Sequence, residues 1–213
     1  FYTVLVRGGA LRADKAGKDT MKQPVRIGIV GAGIFGLMHF RTFSQMAKRG
    51  DVELVGFAEL KDEQRKLRQE EFGVPGFASL GEMIEKAKPE AITIVTPDHT
   101  HRPVALEAAA AGMHILTEKP MDVTEEGCKE IIAACEKAGV FLQVDFHKRY
   151  DADHQAAHEA VKAGQIGTPL YGNAHMEDRI EVPIEWFPQW APNSSPAWFL
   201  GVHFFDVIRW IVG

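Results

Sequence analysis

The stretch "VRIGIVGAGIFG", residues 25–36, constrains the fold of this 213-residue chain more than any other. Its first six residues form a short, nearly continuous apolar run, the pattern of a parallel strand buried on both faces. A glycine-rich turn follows, and residues 35–49 then read as a helix. Gly31, Gly33 and Gly36 match GxGxxG at that strand-to-helix junction. Each glycine has its own duty: one makes the tight turn, the next lets backbone N–H groups approach a pyrophosphate, and the third lets helix and strand pack closely. Phosphate then rests on the positive end of the helix dipole. Gly31, Gly33, Ile34, Phe35 and Gly36 are accordingly the first candidate dinucleotide contacts. Glu59 closes the next strand, "VELVGFAE", 23 positions after Gly36. A carboxylate there accepts hydrogen bonds from the adenosine ribose and repels a 2′-phosphate, which favours NAD(H) over NADP(H). Lys61, two residues on, keeps NADP(H) open.

The same alternation continues downstream. Residues 62–72 read as a charged surface helix closed by Gly73, and Ser79 with Glu82 forms a capping-box pattern for a short helix up to Ala87. "AITIVT", "HILTE" and "VFLQVDF" read as strands, separated by a helix over 103–111 and one capped by Thr124 that runs to Ala138. Strands alternating with helices of this length are βαβ units, hence a Rossmann-type, doubly wound parallel sheet with helices on both faces. That NAD(P)-binding domain is expected over residues 21–144. From 145 to 213 the character changes: a helix over 151–163, an extended "TPLYGNAHMED", a loop carrying Trp186, Trp190 and Trp198, and a final helix with His203 in its first turn. Val207, Ile208, Trp210 and Ile211 can supply that helix with a buried face. This portion reads as the start of a truncated α+β second domain. Residues 1–20 read as an extension or upstream segment, and the opening on Phe1 and stop at Gly213 as marks of a piece of a longer protein.

Composition narrows the partners. A net charge of −5 without any long lysine or arginine run gives no electrostatic footprint for nucleic acid or anionic membrane. No apolar stretch approaches the roughly 20 residues that span a bilayer, and the first 20 residues lack the apolar core of a signal peptide. Cys128 and Cys135 lie on one expected helix about 10 Å apart, too far to bridge, and read as free thiols of a reducing compartment. A cytoplasmic protein acting on small molecules is expected, with no metal.

"TPDHTH" and "TEKPMD" each follow a strand, at the carboxyl ends where open α/β sheets bind ligands. The ordered set GxGxxG, Glu59, "TPDHTH", "EKP" and "GVHFFDVIRW" resembles the glucose-fructose oxidoreductase and inositol dehydrogenase family, Gfo/Idh/MocA, over about residues 22–213. The resemblance implies an NAD(P)-dependent oxidoreductase acting on a sugar, a polyol or a related hydroxylated compound, a second domain begun by residues 145–213 that holds substrate and mediates oligomerisation, and a full-length homodimer or homotetramer. It also assigns residues. Thr96, Pro97, His101 and Glu118 join the cofactor contacts; Lys119 points at the oxygen of the reacting carbon as well; a cis Lys119–Pro120 bond is compatible with the motif. His203 matches the family histidine that contacts the substrate hydroxyl and shares proton transfer, and Arg149 and Tyr150 match a family Arg-aromatic pair at the domain junction, either structural or substrate-lining. Read from their own chemistry, Trp186, Trp190 and Trp198 either line a substrate pocket with aromatic faces or pack an interface.

One departure stands out. The family pattern is commonly Asp-x-Gly-x-His, whereas "FLGVH" has Phe199 at the acid's position. Without that carboxylate His203 is expected to be neutral more often. Asp206, three residues on, is either an orienter or a structural aspartate of the family, with Glu177 and Asp178 as other candidate orienters. Two further functions fit the same cofactor domain: NAD-assisted glycoside cleavage, in which oxidation is transient, and a non-catalytic NAD(P)/sugar sensor.

Overall fold

A computed structural model describes residues 23–189 and 191–213. The expected extension over 1–20 and the side chain of Trp190 lie outside the described residues. Six strands, β1 (Val25–Val30), β2 (Val52–Ala58), β3 (Gly76–Phe77), β4 (Ala91–Ile94), β5 (His114–Thr117) and β6 (Leu142–Val144), form one parallel sheet in the order β3-β2-β1-β4-β5-β6. The chain therefore builds outward from β1 to β3, crosses back, and builds the other half from β4. At this switch point the loops after β1 and β4 part, leaving a crevice at the carboxyl ends of the strands.

The helices of this domain are α1 (Ile34–Lys48), α2 (Asp62–Phe72), α3 (Leu80–Ala87), α4 (His101–Ala110) and α5 (Glu125–Ala138). Their ends follow the sequence signals. Ser79 Oγ accepts from the Glu82 N–H, Thr124 Oγ1 accepts from the Gly127 N–H, and Gly73 and Gly139 close α2 and α5 in the left-handed region. Alternation along the strands divides the core into two layers. Ile27 and Ile29 face α1, where Phe40 meets Phe57 edge-on at 5.0 Å and stacks on Phe72 at 4.8 Å. Val30, Ile92, Ile94, Ile115 and Leu142 face the other layer with Met83, Ala108 and Ile131.

Two details depart from the sequence expectations. β3 is an edge strand of two residues, too short to leave a periodic signal, and β4 ends at Ile94 because Val95 to Pro97 turn away to form the crevice wall. The second portion is looser. Helices α6 (Ala152–Lys162) and α7 (Val202–Val212) pack on each other, with His158 stacked on Trp210 at 4.2 Å. Residues 168–178 run without helix or strand and are mostly exposed. On α7 only His203 is buried; Val207, Trp210 and Ile211 are half-buried and Ile208 is exposed. The expected apolar face is thus only partly covered, since α6 and the turn at His147–Tyr150 meet one flank of the helix. No described helix is long and apolar enough to cross a membrane.

Candidate active site

The crevice is a cleft of about 770 Å³ running from the glycine turn to Lys119. Its floor shows why the three glycines are there. Gly31 has φ +100°, and a Cβ on it would lie 2.7 Å from the Val95 carbonyl oxygen; a Cβ on Gly36 would lie 2.5 Å from that of Gly31. Around Gly33, by contrast, nothing lies within 4 Å, so its backbone faces open cleft. Helix α1 begins here with no side-chain cap and no acidic residue in its first turn, unlike α3 and α5. Its free N–H groups are those a pyrophosphate would accept from. Ile34 and Phe35 flank them and are exposed to the cleft.

Glu59 is placed by the turn it faces: one carboxylate oxygen accepts from the Ala32 N–H at 2.9 Å and the other from the Lys61 N–H at 2.9 Å. Gln64 donates to the Ala32 carbonyl at 2.7 Å. The carboxylate thereby braces the glycine turn while remaining on the cleft wall with lone pairs to spare. Uncapped N–H groups, an open Gly33 and a braced carboxylate fit a dinucleotide.

At the other end, Thr96, Pro97, His101, Glu118 and Lys119 converge. His101 is 1% exposed, with Nδ1 2.7 Å from the Pro120 carbonyl oxygen and Nε2 2.8 Å from that of Thr96. It ties the "TPDHTH" loop to the "EKP" loop. The Lys119–Pro120 bond is cis. Glu118 is buried; its Oε2 accepts from the Lys119 N–H at 3.1 Å and its Oε1 meets His39 Nε2 at 3.2 Å. Burial pushes that carboxyl up, but the His39 hydrogen bond and the charges of His39 and Lys119 outweigh it and hold it below the usual range. His39 Nδ1 in turn meets Thr93 Oγ1 at 3.0 Å. Sequence reasoning missed His39, although the signal was present: it falls on the buried stripe of α1 with Phe40 and Phe43, where a polar residue needs partners. Asp145 completes a group whose ligand atoms lie within 4.8 Å of those of His39 and Glu118. Its carboxyl is pushed up by burial and by the charge of Glu118.

Lys119 is 6% exposed, and Nζ donates to the Phe199 carbonyl at 2.8 Å while sitting 4.0 Å from the centre of the Phe199 ring. Burial pulls its ammonium below the ordinary lysine range, against the charges of Glu118, Asp98, Asp178 and Asp145. His203, four residues after Phe199, is 5% exposed and edge-on to His147 at 4.8 Å. Its Nδ1 is buried without a hydrogen-bond partner among the described residues. Burial, with the charges of Lys119 and His147, lowers its pKa to about 4, so the imidazole is neutral.

The remaining candidates are dispersed. Arg149 pairs with Asp206, Nε to Oδ2 at 2.7 Å and Nη2 to Oδ1, so Asp206 is engaged away from His203. That pair lines a second cavity of about 220 Å³ with Phe146, Val202, Phe205 and Trp210. Tyr150 is exposed, and Trp198 is half-buried outside the large cleft, whereas Trp186 lines it. Four contacts lay the 182–201 segment across the cleft: Phe187 stacks on Phe35 at 5.8 Å, Gln189 meets Lys61 at 3.4 Å, Ser194 donates to buried Asp98 at 2.7 Å, and Phe199 holds Lys119.

A cleft with these features defines a dinucleotide-binding Rossmann domain carrying a lysine at the far end of the cofactor cleft. The chain belongs to the Gfo/Idh/MocA oxidoreductase family. Residues 25–146 match its model described as an oxidoreductase family with an NAD-binding Rossmann fold, and residues 154–213 match the Gfo/Idh/MocA C-terminal domain. The chain is similar to inositol 2-dehydrogenase 1 of Saccharopolyspora erythraea, 30% identical over 189 residues, 88% of this chain and 54% of that protein. Among solved structures it is similar to the WlbA dehydrogenase from Bordetella pertussis in complex with NADH and UDP-GlcNAcA, with a TM-score of 0.79, 28% identity, and coverage of 89% of this chain and 60% of that one. Myo-inositol 2-dehydrogenase from Lactobacillus plantarum gives a TM-score of 0.79 at 28% identity, covering 89% and 57%. The chain spans about half the length of the curated relatives it matches.

Proposed function

We propose that the protein is a cytoplasmic, homo-oligomeric NAD-dependent oxidoreductase that moves a hydride between the nicotinamide and a secondary hydroxyl of a polyol or sugar. The observation that carries this reading is the buried ammonium of Lys119 at the end of a dinucleotide cleft, near enough for its charge to act on His203, a buried histidine whose Nδ1 has no partner among the described residues. The names of the relatives, inositol 2-dehydrogenases and a nucleotide-sugar-bound dehydrogenase, support the same substrate class.

The chain's residues divide the work. The N–H groups at Gly33, Ile34 and Phe35 bind the pyrophosphate, Glu59 takes the ribose hydroxyls, and Thr96 and Pro97 line the path towards Lys119. The nicotinamide, when bound, supplies the hydride acceptor for oxidation and the donor for reduction. Lys119 Nζ hydrogen-bonds the substrate hydroxyl and stabilises the negative charge that grows on its oxygen. His203 Nδ1 takes the proton that leaves that oxygen and returns it in the reverse direction. A neutral imidazole can act so at neutral pH without a carboxylate partner. Residues 145–213 begin the substrate domain, with Trp186 offering an aromatic face at the cleft.

In the full-length protein, Lys119→Ala should lower turnover of the responsive polyol by about 10²-fold or more while NADH binding, read by its fluorescence, persists. Undiminished turnover would remove Lys119 from the reaction.

A further inference from the structure

Lys119 is the only ammonium the proposed reaction uses, and among the described residues no carboxylate is hydrogen-bonded to it. The acids whose charges reach it from neighbouring elements are Glu118, Asp98, Asp178 and Asp145. Two are committed elsewhere: Glu118 to His39 and to the backbone, Asp98 to Ser194. Asp178 is exposed on the 168–178 run, and Asp145 shows no hydrogen bond to the ammonium. His203, His147 and Lys148 bear on the same space as neutral or cationic groups. Among the described residues, Phe199 gives Nζ two contacts: its carbonyl at 2.8 Å and its ring face at 4.0 Å. An ammonium over an aromatic face is attracted by the ring quadrupole, most strongly where water is excluded. The ring is itself fixed, tilted against Phe187 at 6.1 Å, and its backbone N–H donates to the Ser195 carbonyl at 2.8 Å.

We propose that Phe199 is the positioning residue of Lys119, its carbonyl and ring face together holding the ammonium at the cleft wall in the place an acid would otherwise take. The proposal rests on the oxidoreductase reading only for its consequence. Neutral holders leave the ammonium's full charge for the substrate oxygen, and they add no negative charge that would draw a proton onto His203. Phe199 thus couples the segment crossing the cleft to the lysine of the first domain.

The test needs neither cofactor nor turnover, so its failure is separable from failure of the oxidoreductase reading. Lys119 in the full-length protein is acetylated with trace acetic anhydride at a fixed pH below its midpoint, and the rate is read by mass spectrometry of the Lys119 peptide. Phe199→Asp places a carboxylate beside the ammonium and should slow labelling about tenfold, the equivalent of one pKa unit. Phe199→Tyr keeps ring and carbonyl and should label within twofold of the native rate. Phe199→Leu keeps the carbonyl, uncovers the amine and removes the aromatic attraction, and should label at least threefold faster. Cooperative thermal unfolding verifies each variant, and the Tyr and Leu variants carry the test if the Asp variant does not fold. Equal rates in Phe199→Leu and the native protein, or faster labelling in Phe199→Asp, would overturn the proposal.

Discussion

Residues 25–146 and 147–213 are built by different means, and the proposed active centre draws on both. In the first region two buried layers pack on the sheet, and Ile29, Phe40, Phe57, Ile92 and Ile94 are completely buried. In the second, buried side chains are few, chiefly Val182, Phe187 and His203, and two of them serve contacts with the first region or the site. The sheet region owes its order to its own core. The later region is ordered at discrete points: Phe187 on Phe35, Ser194 on Asp98, Phe199 on Lys119, and Arg149 on Asp206. A domain with its own core can thus carry a segment fixed to it at a few contacts, the arrangement expected where loops are set on a packed scaffold.

Truncation tests this contrast most strongly. Phe40→Ala, removing a wholly buried ring from the α1 layer, should cost about 3–5 kcal/mol, whereas Phe205→Ala on exposed α7 should stay within about 0.5 kcal/mol; denaturant unfolding measures both. Comparable losses would mean that the two regions share one core. Next in size is Asp206→Asn, which leaves Arg149 without its carboxylate. It should loosen α7 by about 2 kcal/mol, seen as faster hydrogen exchange in α7 amides while those of β1 and β4 stay protected.

The last effect appears only against pH. His203 has its pKa lowered from the ordinary 6.5 to about 4, so between those values the unfolded chain binds a proton that the folded protein refuses. Stability at this group is therefore full above about pH 6.5 and is lost as pH falls towards about 4, with a slope of at most about 1.4 kcal/mol per pH unit. His203→Gln should flatten that part of the stability profile, and an unchanged slope would show that the imidazole is not held neutral.

The same contrast explains what could be read from the chain. Strand and helix periodicity, the Ser79 and Thr124 caps and the glycine triplet located five of the six strands and the cofactor turn, because each is a local signal. The cis Lys119–Pro120 bond, compatible with the motif, is present in the structure. What escaped were pairings between distant residues. Nothing local says that Arg149 takes Asp206, leaving none for His203, or that His101 spends both nitrogens tying two loops together. Phe199 was visible as a departure from the family pattern, yet its contact with Lys119, 80 positions away, depends on how the later segment crosses the cleft. His39 was legible in principle, as a polar residue on an apolar stripe.

The central claim, that Lys119 from the first region and His203 from the second act as one reaction centre, is tested most directly by a double-mutant cycle on kcat/KM. Lys119→Met, His203→Gln and the double variant of the full-length protein are assayed by reduced-nicotinamide absorbance, with the polyol that supports turnover. Each single variant should lose about 10²–10⁴-fold, and the double variant should be little worse than the poorer single one, as for groups that work as a unit. Losses that multiply, or full turnover by His203→Gln, would contradict it.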